Sequence, residues 1–167
     1  MPWSRSTQST GDTPRPAAAE TRAAAVALLA RRDYATGELR QKLRARAADE
    51  ATLAQVIADL TREGLLNDER YAYNFVAYHA ARGQGPVRIA AQLRQHGVTE
   101  TLVDAALSAG PDWRALADKV RRAKFGAAPP ASWALKARQA RFLLYRGFAA
   151  EQVRAVTGAD PEMTEET

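Results

Sequence analysis

Asp59 and Glu63 stand one helical turn apart, the nearest approach in this chain to an acid–base couple. Their segment, Ala58-Asp59-Leu60-Thr61-Arg62-Glu63, is crowded with charge, so a solvated helix face accounts for them. His79 closes an apolar helical stretch with no acid or thiol partner beside it. Gly83-Gln84-Gly85 has two glycines of a dinucleotide fingerprint but lacks the third and the preceding strand, and no phosphate loop precedes a lysine. There is no cysteine, which excludes disulfides, thiolate zinc sites and a cysteine nucleophile and fits a reducing compartment. Two histidines, His79 and His96, leave little for a metal site. The reading is therefore not an enzyme, with no catalytic residue, cofactor or metal.

The side chains left with chemistry are basic. The 167 residues carry a formal charge of +5, unevenly spread. Asp160, Glu162, Glu165 and Glu166 crowd the end after Gly158, with no base among them. With those four set aside, 24 bases face 15 acids, a surplus of nine on residues 1–158. A basic body suits a polyanion or an acidic protein groove. Solubility alone is the plainer reading of the same numbers.

Some of these cations have a structural reason to be where they are. Arg46, His96 and Arg146, spaced by fifty, each fall in the last turn of a helix, where positive charge offsets the helix dipole. Arg31, Arg32, Arg82, Arg121, Arg122 and Lys124 end other helices in the same way. That account does not cover Arg40, Lys42, Arg44, Arg88, Arg94 and Arg138, which read as mid-helix. Arg44 recurs as Arg94 and Arg88 as Arg138, which predicts, together with Arg141, one basic stripe for a partner or DNA; a solvated helix face is the bland alternative.

The elements that must position these residues are helices. Apolar residues recur at three- and four-residue spacing, as in Leu53, Val56, Ile57 and Leu60, and no stretch alternates over strand length. The pattern predicts helices over about 20–32, 36–46, 50–63, 67–82, 86–96, 99–109, 112–125, 131–146 and 149–157. Gly64 and Gly97 stop helices, Asn67 and Thr99 cap them, and Pro86 sits at a first helical position. The pattern also repeats every fifty residues: Leu43, Leu93 and Leu143; Leu53, Val103 and Val153. Such a period predicts stacked supersecondary units presenting an extended surface. The expected organisation is an arm at 1–19, three-helix repeats at 20–66, 67–110 and 111–158, and an acidic tail at 159–167, both ends disordered. No apolar run reaches the roughly 20 residues a bilayer span needs, so a soluble, cytoplasmic protein is expected.

Asp68, Arg70 and Tyr71 fall where the first two repeats meet, and Gly83, Gly85 and Pro86 shape a turn. Asp68 reads as a cap or structural pair; Arg70 and Tyr71 could set the angle between repeats. Most of Tyr71, Tyr73, Phe75, Tyr78, Phe142, Tyr145 and Phe148 read as core, with Tyr73 and Tyr145 exposed and able to stack on a base. Trp113 and Trp133 read as anchors of the third repeat.

Four segments carry a resemblance to a known family: ALLARRDYATGELRQKL (27–43), GLLNDERYA (64–72), GQGPVRIAAQLRQHGV (83–98), and KFG (124–126) with RFLLYRGF (141–148). In this order, inside a threefold helical repeat, they resemble the RecX family of recombination regulators over nearly all of 20–158. The resemblance implies an all-α protein whose three tandem three-helix repeats stack into an elongated, curved, right-handed-type solenoid. It also implies a monomeric cytoplasmic partner of RecA nucleoprotein filaments that inhibits recombinase activity in DNA repair and the SOS response. Some members bind DNA directly, so a plain DNA-binding helical module is the alternative. The chain departs from the family where a serine usually caps the second helix. Ala35 stands there, although Glu38 is kept; either Thr36 serves as a shifted cap or the helix start frays at a cost of about 1 kcal/mol. Ala47 also replaces the usual glycine after that helix.

Overall fold

A computed structural model describes residues 16–159, and among them every regular element is a helix. In chain order these are α1 (Pro16–Leu29), α2 (Thr36–Leu43), α3 (Glu50–Arg62), α4 (Asp68–Ala81), α5 (Pro86–Gln95), α6 (Glu100–Ser108), α7 (Trp113–Phe125), α8 (Trp133–Tyr145) and α9 (Ala150–Thr157). None is long and apolar enough to cross a membrane. The chain divides into two compact units. The first contains 39–66 and the residues up to Asp33; the second contains Tyr34–Glu38 and the chain from Asn67 onward.

In the first unit α1 packs on α3. Leu39, Leu43, Leu53 and Leu60 are fully buried, at the three- and four-residue spacing that predicted the helices. Asp49 caps α3 by accepting from the Thr52 N–H at 2.6 Å. Past the end of α3 the Leu65 and Leu66 N–H groups turn back to the Leu60 carbonyl, and Arg22 pairs with Glu63 at 2.6 Å. Glu63 is thus a tie between helices, and Asp59 pairs with Arg62 at 2.5 Å; neither carboxylate forms a couple with the other.

The second unit holds two successive triplets. In one, α4 packs on α5 and α6 around Tyr71, Val76, Ile89, Leu93 and Val103, and Ala35 joins the same core. In the other, α7 and α8 pack on α9 around Ala140, Leu143, Phe148 and Val153. Asn67, Asp112 and Ser132 cap α4, α7 and α8 through side-chain oxygens, while Thr99 occupies its cap position without such a bond.

Several expectations need correction. α1 starts at Pro16, inside the arm expected to reach residue 19; residues 1–15 and 160–167 lie outside the described residues. Ala159, assigned to the tail, is buried and its N–H donates to Thr157 Oγ1. α2 ends at Leu43 and not near 46, so Arg44 and Arg46 sit in the turn that follows. Trp133 is 64% exposed and anchors nothing; it is the first residue of α8 and points outward. Tyr78 is exposed too, its ring covered by Arg82 at 3.4 Å.

Candidate partner-binding surface

Two close backbone approaches shape the second unit. At the start of α2, Gly37 lies against His96 and Gly97, where a Cβ would come within 2.6 Å of the His96 carbonyl oxygen. The Glu38 N–H donates to that oxygen at 3.1 Å. At the start of α5, Gly85 lies against Gly147, where a Cβ would be 2.3 Å from the carbonyl group. Here Gly85 N–H donates to the Arg146 carbonyl at 2.8 Å and Val87 N–H to the Gly147 carbonyl at 3.0 Å. In each place the first turn of one helix meets the turn that ends another.

Of the residues read as junction or turn, Asp68, Tyr71, Gly83 and Pro86 lie at these seams and Arg70 does not. Asp68 Oδ1 accepts from the Thr36 N–H at 2.6 Å. The cap missing at Ala35 is thus supplied from α4, thirty-two residues away. Tyr71 is buried and its hydroxyl lies 2.8 Å from His96 Nδ1. Gly83 takes φ +72 and its carbonyl accepts from Arg146 Nε at 3.0 Å, while Arg146 Nη2 reaches the Arg82 carbonyl. Pro86 is the first residue of α5, as its fixed φ favours. Arg70 is exposed, its backbone N–H donating to Asn67.

The structural role of Arg146 was not legible as such. The fifty-residue correspondence with His96 was the available signal, and it marked a helix-end cation, not a bridge between turns. Arg121 read as one more helix-end cation, with nothing to mark it as buried. It is only 3% exposed and donates to Asp118 at 3.0 Å and to the Ala128 carbonyl at 3.2 Å, fastening the loop before α8.

The basic residues divide. Arg44 lies 3.8 Å from Glu50, and Arg94 makes a two-pronged pair with Glu100, one bond at 2.7 Å. Glu50 and Glu100 are themselves fifty apart, so the recurrence of Arg44 as Arg94 is explained by a recurring ion pair. In the third copy Leu144 and Ala150 replace both partners. The hydrogen bond to Arg94 holds the Glu100 carboxyl below its ordinary range. Arg40 is 3.6 Å from the same Glu50, and Lys42 is exposed on α2. These three bases, Arg40, Lys42 and Arg44, belong to the first unit.

In the second unit Arg138, Arg141 and Tyr145 follow one another at helical spacing on the outside of α8. Tyr145 is 77% exposed. Arg88 extends from α5 to the same place, its guanidinium 5.9 Å from the Tyr145 ring centre. Arg138 is 5.6 Å from the Phe125 ring centre. Arg88 therefore reaches the exposed ring of Tyr145, Arg141 stands one turn before that ring on the outside of α8 and Arg138 lies over Phe125, while Arg94 is drawn toward Glu100. Among the described residues no group of histidine and carboxylate side chains is placed to hold a metal ion.

Comparison with known proteins matches three domain descriptions in chain order. These are the first three-helix domain of RecX over 22–60, the second over 67–107 and the third over 112–157. The regulatory protein RecX of Halorhodospira halophila is 48% identical over 142 residues, covering 84% of this chain and 88% of the relative. That of Pseudomonas fluorescens strain SBW25 is 40% identical over 141 residues, 83% of this chain and 91% of the relative. The crystal structure of RecX from Lactobacillus salivarius superimposes with a TM-score of 0.74 over 88% of this chain and 97% of its own; at 19% identity that likeness concerns the fold.

Proposed function

Because the chain belongs to the RecX family of regulatory proteins, we propose that it binds RecA nucleoprotein filaments in the cytoplasm and inhibits their recombinase, ATPase and strand-exchange activities during DNA repair and the SOS response. The observation that carries this reading is the complete set of three family domains, in order, over 22–157. The basic surplus of the body adds to it, since the filament presents acidic protein surface and DNA phosphate. Three repeats seated in the filament groove would engage together, so that weak individual contacts sum through high effective concentration. Occupying the groove would exclude a second DNA and hinder the subunit motions that accompany ATP turnover. The protein would act as a monomer, with no membrane and no cofactor involved.

The test is the DNA-dependent ATPase of RecA, titrated with this protein at two salt concentrations. Inhibition is expected at both and weaker at the higher salt, because exposed charges are screened. Full ATPase activity at saturating protein in both buffers would end the reading. Reversing charge with Arg138→Glu and Arg141→Glu should weaken inhibition without changing the helical circular dichroism.

A second reading has its own observation. Arg88 beside the exposed ring of Tyr145, with Arg138 and Arg141 exposed on the same face of α8, forms the type of patch on which an unpaired base stacks while phosphates meet guanidinium groups. Binding to bare single-stranded DNA, measured with and without RecA and ATP, separates the two. Equal affinity for DNA and filament would favour direct DNA binding.

A further inference from the structure

A trough runs between α4 and α7 in the second unit. One half, a cavity of ≈ 460 Å³, is floored by Val76, Ala77, Ala80, Ala106 and Leu116, with Tyr73 and Pro111 at its lip. The other half, of ≈ 510 Å³, is floored by Ala81, Val120, Ala123 and Phe142. Both halves share Ala80, Ala81 and Leu116, so the floor is continuous. Alanines supply much of the floor, and Leu116 of α7 packs against both the α4–α6 and the α7–α9 cores beneath it.

The charge around this floor has one sign. Exposed Arg82, Lys119 and Lys124 edge the second half, and no carboxylate lines either half. The guanidinium of Arg146 also faces it, committed to the Gly83 and Arg82 carbonyls. A shallow apolar channel between helices, edged by bases and floored by small side chains, suits a helix with an apolar stripe and acidic flanks.

The chain's own segments outside the described residues do not meet this requirement. Residues 1–15 hold Arg5 and Arg15 against a single Asp12, the wrong sign, and offer only Met1 and Trp3 as large apolar side chains. Residues 160–167 hold four acids but only Met163 to cover an apolar floor, and Pro161 interrupts their start. We propose that the α4–α7 trough is a docking site for an acidic amphipathic helix of another protein. The helix would set its apolar stripe on Ala77, Ala80 and Leu116 and its carboxylates toward Lys119, Lys124 and Arg82. This inference goes beyond the filament reading and needs neither RecA nor DNA for its test.

The probe is a synthetic peptide of about four helical turns. It carries leucine at every third and fourth position and glutamate on both flanks of that stripe. Titrated into the full-length protein and followed by NMR, it should give saturable shifts confined to residues around Ala77, Ala80, Leu116 and Val120. A peptide with lysine for each glutamate should bind at least about tenfold more weakly, and so should the acidic peptide to Lys119→Glu/Lys124→Glu. Ala81→Trp, an exposed position, should block binding while leaving the thermal midpoint near that of the parent. Absence of saturation, shifts elsewhere, or equal binding of the two peptides would overturn the proposal. Self-association through the same residues, seen as a dimer mass in sedimentation equilibrium that Ala81→Trp abolishes, would overturn it in favour of a second copy as occupant.

Discussion

At the start of α2 the chain presses Gly37 onto His96 and Gly97; at the start of α5 it presses Gly85 onto Gly147. Counted by fifties, His96 corresponds to Arg146 and Gly97 to Gly147, yet Gly37 corresponds to Val87 and Gly85 to Ala35. The receiving turn is kept while the glycine that approaches it moves by two positions. The hydrogen bonds differ as well. Thr36 has an N–H at its helix start and needs the Asp68 carboxylate; Pro86, its counterpart, has no N–H to satisfy. His96 meets the hydroxyl of Tyr71, whereas Arg146 spans two carbonyls. A repeat of this type preserves how closely two turns approach. The atoms that satisfy the turns are settled locally, under the rule that buried polar groups must be paired.

The sharpest test of that difference is a methyl group in each seam. At Gly85 it would meet three backbone atoms of Gly147 and Phe148 at 2.3 Å, and neither backbone can yield without opening the seam. Gly85→Ala should cost more than about 3 kcal/mol in urea unfolding followed by tryptophan fluorescence. At Gly37 the approaches are 2.6 and 2.9 Å, so Gly37→Ala should cost less, about 1–3 kcal/mol. Equal losses would show the seams to be mechanically alike.

The polar bridges come next. Arg146→Ala leaves the Gly83 and Arg82 carbonyls without their charged donor and should cost about 2 kcal/mol. Arg146→Lys should recover less than half of it, since an ammonium lacks the planar fork that reaches two acceptors. Tyr71→Phe removes one neutral bond to His96 and should cost about 1 kcal/mol. A larger loss for Tyr71→Phe than for Arg146→Ala would reverse the ranking of the seams.

How much of this could be read beforehand depends on the kind of interaction. Leu39, Leu43, Leu53 and Leu60 announced helices because local spacing alone decides which face is apolar. Asn67 and Pro86 marked helix starts for the same reason: the signal and the structure lie within one turn. The Asp68 cap on Thr36, the Arg146 bridge and buried Arg121 join residues far apart or bury a base against its usual preference, and spacing does not encode such pairs. Recurrence can have more than one source. Arg44 and Arg94 read as one stripe because they repeat, but their acids repeat with them. Trp133 read as an anchor by type, while α8 buries Ala137, Gln139, Ala140 and Leu143.

The repeat also contains a mismatch. Leu39 and Ile89 are fully buried, and at the corresponding place in α8 stands Gln139, only 5% exposed, with its Oε1 unpaired among protein groups. A buried unpaired amide oxygen opposes folding, so Gln139→Leu should stabilise the protein by about 1 kcal/mol. The same urea titration checks it. A loss of stability would mean that the amide makes contacts its aliphatic counterparts do not need.

The smallest expected effect follows pH and couples the two seams. His79 lies on α4 between them, its ring 4.1 Å from that of Phe75. Burial lowers its pKa from the ordinary 6.5; Arg82, His96 and Arg88 add to the lowering and the Gln84 side chain offsets part of it. Below about pH 6.5 the unfolded chain takes up a proton that the folded chain resists. Stability should therefore be full above that pH and fall as pH drops through the folded value. Carboxylates such as Glu100, held below their ordinary range by Arg94, should not contribute until more acid conditions. Unfolding free energies between pH 8 and pH 5.5 should thus decline toward acid, and His79→Gln should flatten the slope. Of the charges beside His79, His96 lies at the Gly37 seam and Arg82 and Arg88 at the Gly85 seam, so probes in both should register the fall together. A slope unchanged in His79→Gln would transfer the effect to another group and leave the seams equally indifferent to pH.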